Sequence, residues 1–376
     1  MSMTVACVVA ARPNFMKMAP VVQALRAIPG IRAPLVHTGQ HYDDAMSRVF
    51  FDELQMPEPD VNLEAGSGRH AEQTARVLER FDDYLEATRP DAVLVAGDVN
   101  STFACALAAA KRTIRVGHVE SGLRSRDRTM PEELNRILTD AISDWLFATS
   151  ADAVENLRGE GIDDAKIHLV GNSMIDSLRR HLPAARARRT PERFGLERHA
   201  YAVVTLHRPS NVDDPARLRA ILDALRHLAA LLPVILPVHP RTAARMDALG
   251  EADAPTGRLI RTEPLGYLDF LDLMDSARLV LTDSGGIQEE TTALGVRCLT
   301  LRDSTERPIT MTEGTNRLLG SDPRAILPAA REALAMPSDG ARVPLLWDGH
   351  AGERIASILA RSDRRAGLEK SAPAAV

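Results

Sequence analysis

The sequence predicts an α/β fold of two domains, each a parallel sheet covered by helices on both faces. Three observations predict it. The 376 residues exceed one ordinary hydrophobic core and fit two domains of roughly 150 to 200 residues each. Short apolar runs alternate with longer amphipathic stretches, the rhythm of strand–helix–strand units. That rhythm breaks once, over residues 183–199, where an Arg-, Ala- and Pro-rich segment has poor apolar periodicity, and then it resumes.

In the first half the predicted strands are Val5–Ala10, Ala33–His37, Ala92–Ala96, Val116–Val119 and Trp145–Ala148. Helices are expected over Ala19–Ile28 and Asp43–Leu54 and after Asn100, Pro131 and Ser150. In the second half strands are predicted at Ala202–Leu206, Val234–Val238, Leu259–Thr262, Leu279–Thr282 and Val296–Leu301, again alternating with helical stretches. Near-continuous apolar strands are the mark of a sheet buried on both faces. The reading therefore divides the chain into a first domain over 1–182, a linker or hinge at 183–199, a second domain over 200–349, a helix at 350–366 and a flexible tail at 367–376.

Hydrophobic residues make up 45% of the chain and charged ones 26%, a globular composition. A net charge of -5 gives no global attraction to nucleic acid or an anionic membrane surface. The apolar stretch Thr4–Ala10 has no basic region before it, so neither a signal peptide nor a membrane span is expected. Cys7, Cys105 and Cys298 lie far apart in apolar contexts, unlike a disulfide framework or a zinc knuckle, and a cytoplasmic location is expected.

In parallel α/β sheets ligands bind beyond the carboxyl ends of the strands, where loops lead into helix N-termini. Ala11-Arg12-Pro13-Asn14, Gly97-Asp98 and Glu120-Ser121-Gly122 fall there in the first half. His207-Arg208, His239-Pro240-Arg241 and Thr282-Asp283-Ser284-Gly285-Gly286 fall there in the second. The last is the best phosphate cradle: its glycines admit close backbone approach, Ser284 can cap the next helix, and the helix dipole favours an anion. Arg12, Lys17, His207, Arg208, His239, Arg241 and Arg307 form a set of cations that an anionic ligand would explain. Asp98, Glu120 and Glu132 are the carboxylates placed for proton transfer at a carbon, which needs one group to take a proton and another to return one. Glu132, just after Pro131, also reads as an ordinary helix N-terminal charge. His37 and His41 are four residues apart, but no Cys or carboxylate completes a metal site; no metal is expected. No Gly-x-Gly-x-x-Gly follows the first strand, so no nicotinamide cofactor is expected.

Several segments carry a family resemblance: Ala11-Arg12-Pro13-Asn14-Phe15-Met16-Lys17, Thr38-Gly39-Gln40-His41, Gly97-Asp98, Gly117-His118-Val119-Glu120-Ser121-Gly122-Leu123-Arg124 and Pro131-Glu132-Glu133-Leu134-Asn135-Arg136. Thr205 to Asn211, Glu263 to Tyr267, Thr282 to Glu290 and Thr305-Glu306-Arg307-Pro308 continue it. In this order, from residue 4 to about 320, the chain closely resembles the non-hydrolysing UDP-N-acetylglucosamine 2-epimerases.

The resemblance implies a glycosyltransferase type B-like fold, two Rossmann-like domains with parallel sheets facing across a cleft, the last helix (Gly352–Arg361) crossing back to the first domain. It implies reversible epimerisation of UDP-N-acetylglucosamine to UDP-N-acetylmannosamine, by UDP elimination to a glycal and re-addition, for surface polysaccharide synthesis. Asp98, Glu120 and Glu132 would do the acid–base work and His207 would act at the leaving diphosphate. Arg12, Lys17, His239, Phe270, Ser284, Gly285, Gly286, Glu290 and Arg307 would bind substrate or UDP. No cofactor is implied, and a homodimer is. Gln40 and His41 match a regulatory substrate site, although Tyr42-Asp43-Asp44 follow where several members carry Arg or Gln. A hydrolysing epimerase releasing N-acetylmannosamine and UDP, a type B glycosyltransferase and a non-catalytic sensor remain alternatives; the intact Thr38-Gly39-Gln40-His41 segment favours the non-hydrolysing class.

Overall fold

The computed structural model describes residues 3–39, 57–250, 258–336 and 342–371, with backbone only for Arg12 and residues 363–371. Gln40, His41 and the helix expected over Asp43–Leu54 lie outside the described residues. The chain forms two compact units, one running to Ser177 and resuming at Leu345, the other Leu178–Pro344.

The first unit holds β1 (Met3–Val9), β2 (Ile31–Arg32), β3 (Leu35–His37), β4 (Val61–Asn62), β5 (Ala92–Ala96), β6 (Arg115–Ser121), β7 (Trp145–Ala148) and β8 (Ile167–Leu169). All pair in parallel, in the order β4-β3-β1-β5-β6-β7-β8, with β2 also on β1. Helices α1 (Arg12–Arg26), α2 (Asn100–Lys111), α3 (Pro131–Ile142) and the start of α4 (Ser173–Ala187) follow strands. Every residue of β5 is buried, so this strand is apolar throughout. Ala104, Cys105, Ala108 and Ala109 of α2 are buried with Val93, Val95 and Phe81 in one core; such small side chains let the helix lie close to the sheet.

The second unit holds β9 (Ala202–Thr205), β10 (Val234–Pro237), β11 (Leu259–Thr262), β12 (Leu279–Thr282), β13 (Cys298–Thr300) and β14 (Asn316–Leu318), parallel in the order β11-β10-β9-β12-β13-β14. This is a doubly wound sheet whose winding reverses between β9 and β12; in the first unit it reverses between β1 and β5. Brändén's rule places ligands outside the carboxyl ends of strands at such reversals. Asp98, His207 and Ser284 lie just after β5, β9 and β12, and Lys17 lies in α1, the helix that follows β1.

Residues 183–199, expected as a linker or hinge, carry helical structure. They continue α4 to Ala187, with Pro183 inside the helix, and enter a short helix at Thr190–Arg193. Arginines of this segment pair with the acidic face of α5 (Tyr267–Asp275): Arg186 with Asp275 at 2.8 Å, Arg193 with Asp269 at 2.8 Å and Arg198 with Asp272 at 3.2 Å. A segment whose apolar pattern is weak is held by ion pairs to a helix about eighty residues later. In the same unit, α6 (Gly285–Leu294) follows β12.

The last helix, α7 (Ala351–Ser371), belongs to the first unit. It extends past residue 366, where a tail was expected. The returning chain is anchored by the buried Trp347, whose Nε1 donates to the Thr149 carbonyl at 2.9 Å. Gly352 allows α7 to approach α1, since a Cβ there would lie 2.7 Å from the Pro20 carbonyl oxygen. Among the described residues no helix is long and apolar enough to cross a membrane.

Candidate active site

In the first unit, Pro13 sits in the opening turn of α1, where a missing N–H does no harm. Asn14 closes that turn by accepting the Ala11 N–H at 3.0 Å, and its Nδ2 donates to the Ala96 carbonyl at 2.7 Å, fixing α1 to the end of β5. One turn on, Lys17 is buried and ion-paired with Glu120, also buried. Glu120 has a left-handed backbone, φ +69°, at a register shift in β6. Such a conformation in a non-glycine residue is strained and persists only where its surroundings hold it. Gly97 lies against the pair with φ +68°; a Cβ there would sit 2.9 Å from Lys17 Nζ and 3.3 Å from Asn14 Nδ2.

Asp98, the next residue, pairs with Arg136 of α3, and Asn135 Nδ2 donates to the Asp98 carbonyl at 2.9 Å. Lys17, Asp98 and Glu120 thus share the carboxyl end of one sheet. Glu132 stands exposed in the first turn of α3. Its neighbour Glu133 is buried and structural: it accepts the Ser125 and Arg126 N–H groups at 2.9 and 2.8 Å and pairs with Arg136 at 2.8 Å. Burial alone would raise the Glu133 carboxyl, but those amides and Arg136 hold it below its usual value.

His37 is a satisfied core histidine: Nε2 lies 2.9 Å from the Ala10 carbonyl, Nδ1 accepts the Gly39 N–H at 3.0 Å, and Phe15 stacks on the ring. Burial lowers its pKa.

In the second unit, His207 Nδ1 lies 2.7 Å from the wholly buried carboxylate of Asp283. Asp283 also accepts the N–H groups of His207 and Arg208, at 3.0 and 2.9 Å, and Asn211 Nδ2 at 3.1 Å. Burial would raise this carboxyl, yet His207 and the donors around it hold it down. Such a partner fixes the imidazole's orientation and leaves Nε2 as its outward nitrogen. The His239 ring lies 6.0 Å from that of His207, and its Nδ1 caps the helix Pro240–Ala248.

Ser284 occupies the N-cap of α6, but its hydroxyl makes no capping bond, contrary to the sequence reading; the Ser284 N–H is taken by Thr282 Oγ1 at 3.0 Å. A Cβ on Gly285 would lie 2.7 Å from Arg307 Nη1 and from Glu306 Oε1. Arg307 is buried between Glu289, at 3.0 Å, and Glu306, which Arg302 also holds at 2.8 Å. Burial opposes ionisation of Glu306, but the two guanidinium groups outweigh it and push the carboxyl far below its usual range. Glu290 accepts the Tyr267 hydroxyl at 3.0 Å, and Phe270 is half-buried on the same helix as Tyr267.

The sequence treated the cations as a set available to an anion. The structure pairs Lys17 with Glu120, Arg241 with Asp213, and Arg307 with two carboxylates. Asp140, His118, Glu133, Asp283 and Glu306 were not selected as site residues from sequence: all but Asp140 stand inside the segments quoted for the resemblance, but each acts through a contact that spacing does not display. A cavity of about 610 Å³ in this unit lies elsewhere, at the amino ends of β12 to β14, between Arg278, Gly295, Cys298 and Asn316.

Residues 23–360 match the model of the UDP-N-acetylglucosamine 2-epimerase family. The chain belongs to that family. It is 41% identical over 355 residues to UDP-N-acetylglucosamine 2-epimerase of Methanococcus maripaludis, covering 93% of this chain and 96% of that one. It is 40% identical to UDP-2,3-diacetamido-2,3-dideoxy-D-glucuronate 2-epimerase of Pseudomonas aeruginosa, covering 96% and 100%. The structure of Methanocaldococcus jannaschii UDP-GlcNAc 2-epimerase in complex with UDP-GlcNAc and UDP superposes with a TM-score of 0.86 at 40% identity, covering 96% of this chain and 100% of that one. As a member of this family the chain is an epimerase, an isomerase, with the two-sheet architecture of the type B glycosyltransferases.

Proposed function

We propose that this epimerase interconverts UDP-N-acetylglucosamine and UDP-N-acetylmannosamine without hydrolysis, by eliminating UDP to a glycal and adding it back. The observation that carries this reading is the Lys17–Glu120–Asp98 cluster at the carboxyl end of the first sheet. Inverting a carbon requires a proton to leave one face and return to the other, and carboxylates are suited to both roles. Asp98, Glu120 and Glu132 are assigned that work; the charge partners of the first two, Arg136 and Lys17, hold them in place.

The second unit's residues suit the leaving group. His207, oriented by Asp283, presents Nε2 to the departing diphosphate, while the α6 N-terminus, Gly285, Gly286 and Arg307 offer amides and a cation to its oxygens. Arg12, Lys17, His239, Phe270, Ser284 and Glu290 complete the assigned substrate contacts. The three unpaired buried cysteines fit the proposed cytoplasmic setting.

A second reading concerns the sugar. Relatives of nearly equal identity act on UDP-N-acetylglucosamine and on a diacetamido glucuronate. Incubating purified protein with each UDP-sugar separately, and resolving the products by anion exchange, tests both the substrate and the outcome. Expected is UDP-N-acetylmannosamine from UDP-N-acetylglucosamine, with no free sugar. Free N-acetylmannosamine and UDP would place the chain in the hydrolysing class. Turnover of the glucuronate alone would move the substrate.

A further inference from the structure

Asp98, just past β5, and Glu120, near the end of β6, are assigned to proton transfer, and a buried group outside the assigned site ties these two strand ends together. Asp140 of α3 is wholly buried. One of its carboxylate oxygens lies 2.6 Å from His118 Nδ1. The other accepts the Gly122 N–H at 3.1 Å and pairs with Arg124 at 2.8 Å. His118 Nε2 faces the Gly97 carbonyl at 2.8 Å, and since a carbonyl only accepts, the ring donates there. Asp140 therefore reaches the residue before Asp98 through His118, and the amide two residues after Glu120 directly. Gly97 closes the link, donating its own N–H to the Val119 carbonyl at 3.1 Å.

The same helix adds a second tie. Arg136, one turn before Asp140, pairs with Asp98 and with Glu133, and Glu133 holds the Ser125 and Arg126 amides. Strain at Glu120 needs such over-determination, because a left-handed non-glycine residue relaxes when its neighbours loosen. Arg124 in turn is held by Glu160 at 2.7 Å, so Asp140 faces a guanidinium that is already fixed. Burial opposes ionisation of Asp140, but His118 and Arg124 outweigh it and keep the carboxyl below its usual value.

We propose that Asp140 is a positioning residue for proton transfer, which through His118 and the Gly122 amide sets the spacing of Asp98 and Glu120 without touching substrate. The proposal rests on the epimerase reading above. Its test is Asp140→Asn in the full-length protein, beside His118→Gln, which keeps a donor for the Gly97 carbonyl, and the double variant. Steady-state turnover of UDP-N-acetylglucosamine and UDP affinity by calorimetry are the readouts. Small displacements of reacting groups reduce turnover strongly, so kcat is expected to fall on the order of tenfold to a hundredfold in Asp140→Asn. KM and UDP affinity should stay within about twofold. The double variant should lose no more than Asp140→Asn alone, as for groups that act as a unit.

Wild-type kcat in a folded Asp140→Asn protein overturns the proposal, as does a parallel loss of kcat and UDP affinity, which would mark a general structural role. If Asp140→Asn does not fold, His118→Gln alone decides, by the same split between kcat and KM. A wild-type protein that leaves UDP-N-acetylglucosamine unchanged overturns the epimerase reading and this proposal together. An active wild type with unimpaired variants overturns this proposal only.

Discussion

Glu132 and Glu133 are adjacent, of one chemistry, and opposite in environment. Glu133 is buried on two backbone amides and a guanidinium, so Glu133→Gln should destabilise the fold by about 2 to 4 kcal/mol, the usual result of breaking a buried charged contact, read as a lower denaturation midpoint. Glu132 is exposed, so Glu132→Gln should leave that midpoint unchanged while lowering kcat on the order of a hundredfold, as for loss of an acid–base group. An inactive Glu133→Gln with normal stability, beside a fully active Glu132→Gln, would reverse the assignment. At Gly97, alanine meets both a left-handed φ of +68° and Lys17 Nζ at 2.9 Å from its Cβ. Gly97→Ala is therefore expected to displace the Lys17–Glu120 pair and reduce turnover more than it reduces UDP affinity.

At the scale of elements, α4 and α7 meet at a carboxylate. Asp176, in the first turn of α4, accepts the Ala351 and Gly352 N–H groups at 3.2 and 2.7 Å, at the start of α7. Burial pushes its pKa up from 3.8 to about 6, with Asp348 adding to the rise and the two amides and His350 opposing it. A raised folded pKa means that the native state holds this proton more tightly than the unfolded chain. Its stabilising contribution is complete below about pH 4 and is lost as pH rises through about 6, on the order of 3 kcal/mol. The denaturation midpoint of Asp176→Asn, compared with wild type from pH 4 to 7, should lack that decline; parallel profiles would exclude Asp176 as its source.

Elements were legible in the sequence where burial on both faces leaves a continuous apolar run. β5, β7 and β12, buried at every residue, appear at the residues the pattern predicted; so does the edge strand β11, of which only Leu259 is buried. β2, β4, β8 and β14 did not: they are two or three residues long and carry polar residues such as Asn62 and Arg317. The helical structure of 183–199 was not legible for a different cause, since its arginines find their carboxylates on α5 and no local spacing reveals that. Of the candidate site, Asp98, Glu120, His207 and Ser284 could be picked from their places at strand ends, and Lys17 from the helix that follows the first strand. Asp140 and Asp283 could not, because hydrogen bonds across 22 residues to His118 or 76 to the His207 amide leave no periodic trace, and Glu133 could not be told from its neighbour Glu132 before the loop amides of Ser125 and Arg126 were placed on it.

Across the whole molecule the two units carry different chemistry: carboxylates paired with Lys17 and Arg136 in one, the His207–Asp283 pair and Arg307 in the other. Arg307→Gln should therefore weaken UDP binding by tenfold or more, roughly the worth of one charge-assisted contact, while Glu120→Gln should keep UDP affinity and lose turnover. Calorimetry on the two variants checks this, and equal UDP affinities would contradict the division. The central claim, inversion at the second sugar carbon through proton exchange, is tested most directly by proton NMR of UDP-N-acetylglucosamine with the protein in heavy water. Expected is UDP-N-acetylmannosamine with deuterium at the second carbon, and deuterium entering the recovered UDP-N-acetylglucosamine as equilibrium is reached. An epimerised product that keeps its original proton at that carbon would contradict it.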